Sequence, residues 1–172
     1  MDYVLNNLSS ERLLFRKLVP DDFEFWLPFH EDSRSSKYWV GLPQNPEQAC
    51  REDFERTFFR YRNNLGGKLA LIEKNTGTFI GLCGLLVQQI DQNQELEIAY
   101  SLLPKYWKKG YATEAAQACK LCATEHQLAP SLISIIHIDN LPSQKVARNN
   151  LMKPTAKTIY HHNPVYIFRV KI

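Results

Sequence analysis

Hydrophobic and polar residues alternate along several short stretches of this 172-residue chain, and each stretch predicts a β-strand. The clearest case is 94–103, where Leu96, Ile98, Tyr100 and Leu102 fall on one face of the strand. The opposite face then carries Glu95, Glu97, Ala99 and Ser101. The same reasoning predicts strands at 12–18, 68–73, 78–88, 131–138 and 165–171, with an extra short strand near Thr158. The sequence Asn75-Thr76-Gly77 predicts a tight turn that joins two of them as a hairpin.

Apolar residues recur at helical spacing in the segments between these strands. Helices are predicted from Pro20 to about Glu31, from Pro46 to about Arg62, from Tyr111 to about Gln127 and from Pro142 to Met152. The resulting order is β-α-α-β-β-β-α-β-α-β, which indicates an α/β (α+β mixed) fold with helices packed on a mixed sheet. We find no internal repeat or linker, so residues 1–172 are predicted to form a single domain.

Composition and charge narrow the classes of function. Hydrophobic residues make up 44% of the chain, enough for a sizeable core, and the net charge of +3 does not mark a nucleic-acid binder. No acidic residue follows Asp139, whereas six basic residues do, which suits either an anionic ligand or a solvated basic face. The beginning of the chain lacks signal-peptide character, no apolar run spans a bilayer, and the four cysteines show no disulfide spacing. We therefore expect a reduced, cytoplasmic protein that binds neither membrane nor nucleic acid.

A single glycine directly ahead of the alanine-rich helix indicates an anion site. The first amides of a helix have no intrahelical acceptors, and Gly110 lets a ligand approach the backbone closely. Lys108 and Lys109 add positive charge, small Ala112 keeps the approach open, and Thr113 offers a hydroxyl. The predicted ligand is a phosphate or pyrophosphate, although an ordinary strand-to-helix loop is the alternative. Neither G-x-x-x-x-G-K-[ST] nor G-x-G-x-x-G is present.

The stretch YWKKGYATEA resembles the acyl-CoA-binding turn of the GNAT superfamily of N-acyltransferases, whose pattern is Gln/Arg-x-x-Gly-x-Gly/Ala before a helix. Gly110 and Ala112 match this pattern, whereas Trp107 stands where Gln or Arg is usual. The stretches LSSERLLFRKLVPDDF, LEIAYSLLPKYW, DNLPSQKVARNNLMK and HHNPVYIFRVKI are similar, in order, to segments of the branch that includes the ribosomal-protein N-terminal acetyltransferases (RimJ/RimL-like). Together they cover most of the chain.

The resemblance implies a twisted, mostly antiparallel sheet of six to seven strands, splayed between the fourth and fifth strands, with about four helices packed on it. It implies acetyl-CoA as co-substrate and no metal. The acceptor is a primary amine, either a protein N-terminus or a small molecule, and the protein is a monomer or a homodimer. The cofactor-binding residues that it implies are Ser101, Leu102, Leu103, Lys108, Lys109, Gly110, Tyr111, Ala112, Thr113, Asn140 and Ser143. A backbone amide near Leu102 or Leu103 would polarise the thioester carbonyl.

For catalysis, the resemblance implies Glu97 as the base, acting directly or through a water, and Ser143 as the group near the sulfur that protonates the thiolate. Glu95, two residues earlier on the same strand face, is the alternative base, and a solvated pair of acids is the structural alternative. Two residues depart from the family pattern. Ala147 occupies the place of a tyrosine that many members use as general acid, and Leu151 replaces a glycine. A non-catalytic acyl-CoA-binding or regulatory module on the same scaffold is therefore the alternative function.

The remaining candidate residues favour structural roles or the acceptor pocket. Cys119 and Cys122 lie on the buried stripe of their helix, which favours core packing over a metal site. His137 is predicted to be a core histidine, and His161 and His162 to lie in a loop near the acceptor. We expect the loop 29–46, with Tyr38, Trp39, Glu31 and Asp32, to contribute to the acceptor pocket.

Overall fold

A computed structural model describes residues 3–172. In chain order its elements are β1 (Leu13–Arg16), α1 (Phe23–Glu31), α2 (Ser33–Ser36), α3 (Pro46–Arg62), β2 (Gly66–Glu73), β3 (Thr78–Ile90), β4 (Asn93–Leu102), α4 (Tyr111–Glu125), β5 (Ser131–His137), α5 (Leu141–Asn149), β6 (Lys153–Tyr160) and β7 (Asn163–Lys171). Short 3₁₀ turns at Pro20–Asp22 and Pro104–Tyr106 precede α1 and α4.

All seven strands form one sheet, in the order β1-β2-β3-β4-β5-β7-β6. Every neighbouring pair is antiparallel except β4 and β5, which are parallel and meet only at Glu97 and Ile133. Beyond that pair the two strands diverge. The predicted splay between the fourth and fifth strands is therefore confirmed, as is the mixed, mostly antiparallel sheet.

Helices cover both faces of the sheet. On one face α4 packs its alanines and Cys119 against a core that includes Leu13, Phe15, Leu69, Leu71, Ile80, Leu85, Leu96 and Ile98. On the other face α1 and α3 pack on Leu82 and Leu103 through Trp26, Cys50 and Phe54. Strand alternation places Leu96 and Ile98 toward α4, so Glu97 lies on the face of α1 and α3.

The buried Asp53 carboxylate on the α1–α3 face is paired. The Asp53 carboxylate accepts hydrogen bonds from the Trp26 indole at 3.0 Å and from the Lys68 ammonium at 2.9 and 3.0 Å. Burial acts to raise the pKa of Asp53, but the positive charge of Lys68 and the hydrogen bonds outweigh it and hold the pKa well below its ordinary value. This ion pair fixes α3 to β2.

Most predicted elements are confirmed, with some differences in extent: the first strand is shorter, Leu13–Arg16, and a 3₁₀ turn at Pro20–Asp22 precedes the first α-helix. The helix at 46–62 and the hairpin turn at 75–77 are found as predicted. Strand β6 spans eight residues instead of a short piece near Thr158, and α2 is additional. Helix α5 ends at Asn149, three residues before the predicted end. No helix in the described part of the chain is long and apolar enough to cross a membrane.

The length of β6 is greater than predicted because β6 is an edge strand that buries few apolar side chains. Its residues are largely exposed, and it carries Lys153, Pro154 and Lys157 in place of an alternating apolar pattern. Lysines and proline on an edge oppose pairing with another chain. Because these residues interrupt the hydrophobic alternation, the sequence pattern does not predict the full length of the strand.

Candidate active site

The divergence of β4 and β5 creates a gap whose start is held by two side chains. The Ser134 hydroxyl donates to the carbonyl of Ile98 at 2.8 Å, and the amide of Ile135 donates to Oε1 of Glu97 at 3.4 Å. These contacts take the place of the next main-chain bonds of a parallel ladder. Beyond Ile98, no strand within residues 3–172 pairs with the β5-facing edge of β4.

Backbone alternation decides which β4 amide faces this gap. The amide of Leu103 donates to the carbonyl of Ile80 on β3 at 3.0 Å. Successive amides of a strand point to opposite sides, so the amide of Leu102 points away from β3 and toward the gap. Of the two amides offered by the sequence, Leu102 is thus the one available, and Leu103 is committed to β3. Ser101 lies opposite Leu82 of β3, with its amide on the β3 side.

The turn before α4 has the left-handed backbone conformation that glycine favours. Gly110 is the N-cap of α4 at φ 84°, in the left-handed region, and contributes no capping side chain. A Cβ atom built there would lie 3.3 Å from Nη2 of Arg12. The first-turn amides of Tyr111, Ala112 and Thr113 are therefore oriented for an external anion, with exposed Lys108 and Lys109 beside them.

The N-terminal segment fixes this turn through contacts that sequence reasoning missed. Glu114, in the first turn of α4, accepts hydrogen bonds from the Ser10 hydroxyl at 2.6 Å and from the amide and Nε of Arg12, both at 2.7 Å. The Arg12 guanidinium also donates to the carbonyl of Lys109 at 3.1 Å and lies 4.2 Å from the ring centre of Tyr111. Burial acts to raise the pKa of Glu114, but these hydrogen bonds hold it below its ordinary value. No local sequence pattern predicts these contacts, because Glu114 and its partners lie 104 and 102 residues apart in the chain.

Trp107, the departure from the family turn, has a defined position. Its indole nitrogen donates to the carbonyl of Leu102 at 2.7 Å, and the Arg34 guanidinium lies 5.6 Å from its ring centre. The indole therefore ties the turn before α4 to the end of β4, and it brings α2 to the same end of the site.

Glu97 lies buried at the start of the gap, with 8% of its surface exposed. Its Oε2 accepts a hydrogen bond from Nε2 of Gln88 at 2.6 Å, in addition to the contact with the Ile135 amide. Burial raises the pKa of Glu97 above its ordinary value, although the Gln88 and Ile135 hydrogen bonds oppose the shift. A carboxyl group with a raised pKa is a better base than a solvated one, so the environment suits proton transfer.

Glu95, the alternative base, is held in an ion pair. Both of its carboxylate oxygens accept hydrogen bonds from Arg169 of β7, at 2.7 and 2.9 Å. The interpretation of Glu95 and Glu97 as a solvated pair of acids is therefore wrong, because β7 pairs with the first and the second is buried. Hydrophobic alternation along β4 predicts that Glu95 and Glu97 share a face, but it does not predict which groups contact that face.

Asn140 and Ser143 lie together at the start of α5. The Asn140 side chain caps the helix by accepting from the Ser143 amide at 3.1 Å. The half-buried Ser143 also accepts, through its main-chain carbonyl, a hydrogen bond of 2.9 Å from the Tyr100 hydroxyl of β4. Tyr100 thus spans from β4 to α5 beside the gap. Ala147, in the place of the family tyrosine, is buried and offers no acid.

The loop predicted to contribute to the acceptor pocket lies across β5 and β7. Trp39 packs against the apolar cluster of Ile133, Ile135, Val165 and Ile167, and the Tyr38 ring lies 5.7 Å from that of His137. The side chain of Asn163 accepts from the amide of Val40 at 2.8 Å, which fixes the loop to the β6–β7 turn. Asp32 pairs with Arg34 and caps α2, whereas Glu31 is exposed.

The other candidates show no catalytic grouping. Cys119 is buried with its sulfur 3.7 Å from that of Cys83, and Cys122 is half-buried, so both pack as predicted. His137 is half-buried rather than in the core, and accepts from the Asp139 amide at 3.1 Å. His161 and His162 are exposed on the β6–β7 turn. Residues 3–172 contain no group of three or more potential ligands that could hold a metal ion.

Comparisons with known proteins give matches over most of the chain. A family model described as "Acetyltransferase (GNAT) domain" matches residues 12–153. The uncharacterized protein YkkB of Bacillus subtilis (strain 168) is 30% identical over 143 residues, which are 82% of this chain and 74% of that protein.

Two solved structures illustrate the likeness of the fold. An acetyltransferase from Agrobacterium tumefaciens str. C58 superposes with a TM-score of 0.80 at 24% identity, covering 100% of this chain and 98% of that one. RimL, a ribosomal L7/L12 alpha-N-protein acetyltransferase solved in complex with coenzyme A, superposes with a TM-score of 0.76 at 14% identity. That match covers 95% of this chain and 96% of RimL.

Proposed function

Because this chain belongs to the GNAT acetyltransferase family, we propose that it is an N-acetyltransferase that transfers the acetyl group of acetyl-CoA to a primary amine by direct attack. The observation that carries the proposal is the buried carboxyl group of Glu97 at the start of the β4–β5 gap. In this proposal Glu97 is the base at the closed end of the gap, and the turn before α4 is the anion site.

The pyrophosphate of acetyl-CoA would bind the amides of Tyr111, Ala112 and Thr113. The turn fits this group, because Gly110 has no side chain to cap the helix and its left-handed backbone directs these amides outward. Lys108 and Lys109 are exposed next to them and supply positive charge. Contacts from Arg12 hold the turn in this conformation before any ligand arrives.

The thioester would lie in the gap, with its carbonyl oxygen at the amide of Leu102. Removal of one side-chain oxyanion-hole donor costs enzymes about 2.7–4 kcal/mol, and a backbone amide aimed at the developing oxyanion acts in the same way. Ser143 and Asn140, at the start of α5, would line the other wall beside the pantetheine arm. Ser101 and Leu103 are the neighbours of Leu102 in the chain.

Proton transfers complete the reaction. The neutral amine nitrogen attacks the thioester carbon, the carbon–sulfur bond breaks, and the departing thiolate takes a proton. Glu97 accepts, through intervening water, the proton that the attacking amine loses, because five residues of strand at roughly 3.3 Å each separate it from Leu102. Ser143 or a water that it binds would supply the proton to the thiolate, since Ala147 cannot.

The acceptor that we favour is the amino group of a protein N-terminus. Support comes from the RimJ/RimL-like resemblance and from the structural likeness to RimL, whose acceptor is ribosomal L7/L12. The second candidate function, a non-catalytic acyl-CoA-binding module, is favoured by the buried Ala147 in the place of the tyrosine acid.

One experiment separates these functions and tests the base. Release of free CoA thiol from acetyl-CoA is measured with a panel of peptides with different N-terminal residues, polyamines and amino acids. An enzyme releases thiol with at least one acceptor, whereas a binding module binds CoA in calorimetry and releases none. With the best acceptor, Glu97→Gln should lose the acidic limb of the pH–rate profile and most of the turnover. Glu95→Gln, the matched control on the same strand face, should keep that limb.

A further inference from the structure

Gln88 on β3 connects Glu97 to a group of fixed donors. Its side-chain nitrogen donates to Oε2 of Glu97 at 2.6 Å. Its side-chain oxygen accepts from Nη2 of Arg60 at 3.2 Å and from the hydroxyl of Tyr160 at 3.4 Å. The amide group of Gln88 therefore lies between the carboxylate on one side and two donors on the other.

These contacts determine which way the amide points. A glutamine side chain has one accepting oxygen and one donating nitrogen, and a guanidinium can only donate. Arg60 is itself fixed, because its Nη1 donates to the main-chain carbonyls of Leu65 and Val87 at 3.2 and 2.9 Å. The oxygen of Gln88 must then face Arg60, and its NH₂ group must face Glu97.

We propose that Gln88 is a positioning residue for Glu97: held by Arg60 and Tyr160, it fixes the carboxylate across the start of the gap and keeps a donor on it. The catalytic consequence rests on the proposed function, whereas the contact itself does not. The four residues come from α3, β3, β4 and β6, so the carboxylate is fixed from elements on both sides of the gap.

The electrostatic role of this donor follows from its surroundings. Charged and titratable groups that interact with Glu97 are Arg60 on α3, Lys68 on β2 and Tyr160 on β6, together with Tyr100, which projects from the opposite face of β4. Burial favours the neutral carboxylic acid, whereas the hydrogen bond from Gln88 favours the carboxylate. Loss of the donor should therefore raise the pKa of Glu97 further and reduce the fraction of active base at a given pH.

The test measures the ionisation of Glu97 without an acceptor. Protein labelled with ¹³C at the glutamate carboxyl carbons is titrated by NMR, and the signal absent from Glu97→Gln is assigned to Glu97. In Gln88→Met, which keeps the length of the side chain but removes the donor, the midpoint should rise by about one pH unit or more. In Gln88→Glu it should rise further, because two adjacent carboxylates share a proton. Gln89→Met is the matched control: the neighbouring side chain is exposed and on the opposite face, so the midpoint should not move.

An unchanged midpoint in a folded Gln88→Met protein would overturn the positioning role. If that variant does not fold, Gln88→Leu, which also lacks the donor and adds no charge, gives the same measurement. The pH–rate profile with the best acceptor gives the second measurement, and its acidic limb should shift with the NMR midpoint. A Glu97→Gln enzyme with the wild-type profile would instead contradict the proposed base, whatever the titration shows for Gln88.

Discussion

The hydroxyl of Ser134 on β5 donates a hydrogen bond to the main-chain carbonyl of Ile98 on β4, with 2.8 Å between the two oxygens. One residue earlier along each strand, Glu97 and Ile133 still form a regular parallel pair. A side chain thus replaces the main-chain amide at the point where the strands part. The carbonyl would otherwise be a buried acceptor without a donor, and such groups are costly.

Replacing this hydroxyl should cost stability. Ser134→Ala leaves the Ile98 carbonyl unpaired in a buried site, so the free energy of unfolding should fall by about 1–3 kcal/mol. Chemical denaturation measures the change. Ser35→Ala is a useful control, because the buried Ser35 hydroxyl finds no partner among residues 3–172. Its removal should be neutral or stabilising, and equal losses in both variants would contradict the role assigned to Ser134.

Substitutions at Gly110 and Gly77 separate the effect of losing the anion site from the effect of backbone strain. Both have a positive φ, 84° and 67°, and both should be strained by valine. Gly77 lies in the β2–β3 turn with open space around it, whereas Gly110 caps the helix that carries the proposed pyrophosphate amides. Calorimetry should show CoA binding weakened about tenfold or more in Gly110→Val, or about 1.4 kcal/mol, and unchanged in Gly77→Val. Unchanged CoA affinity in a folded Gly110→Val protein would remove the pyrophosphate from this turn.

Ser143 and Asn140 are separable because only one of them caps α5. The cap joins the Asn140 side chain to the Ser143 amide, which remains in Ser143→Ala. That variant should keep its melting temperature while turnover falls by about 10²-fold, the lower range for loss of a general acid. Asn140→Ala should lose about 1 kcal/mol of stability, seen as a lower melting temperature. Full turnover in Ser143→Ala would assign Ser143 a purely structural role.

Leu151, in the place of the family glycine, has a left-handed backbone, which favours glycine. Its φ is 65°, and hydrogen bonds from the amides of Leu151 and Met152 to the carbonyls of Arg148 and Ala147 complete a Schellman motif after α5. The Leu151 side chain is 72% exposed and contributes little packing, so the left-handed conformation is mainly a cost.

Leu151→Gly should therefore raise the free energy of unfolding by about 0.5–1 kcal/mol, since relief of strain exceeds the entropic cost of glycine. Thermal unfolding should show a gain of about 1–4 °C. Leu121→Gly provides the opposite sign, because Leu121 is also exposed but lies inside α4, where glycine costs about 1 kcal/mol. A loss of stability in Leu151→Gly would mean that the leucine makes a stabilising contact.

Much of the fold could be predicted because local signals determine it. Pro46 begins α3, the turn at 75–77 registers β2 with β3, and alternation in β4 places Glu95 and Glu97 on one face. The sequence also predicts the turn before α4, because the residues that form it, 107–112, are contiguous.

The rest depends on contacts between distant segments. Alternation cannot show that Arg169 of β7 pairs with Glu95, or that Gln88 and the amide of Ile135 bind Glu97. Those contacts depend on the mutual register of four strands, β3, β4, β5 and β7. The clamp of Arg12 on Glu114 is likewise determined by packing of β1 against α4, not by any local pattern.

The burial of Glu97 also predicts how stability depends on pH. Its pKa in the folded protein lies above its ordinary value, because burial disfavours the charged form. The contribution of the neutral group to stability is then complete below the unfolded-state pKa and is lost as the pH rises through the folded-state pKa. Glu97→Gln removes this loss, so the free energy of unfolding of the variant minus that of the wild type should increase as the pH rises from about 4 to 8. The increase should be about 1.4 kcal/mol for each unit of pKa shift. The difference between the two proteins cancels the contributions of other carboxylates to the pH dependence of stability. Asp53 is one of these, and its lowered pKa makes stability rise with pH. A difference that stays flat across this range would show that Glu97 ionises in the folded protein as it does in the unfolded chain, and the case for a base activated by burial would fail.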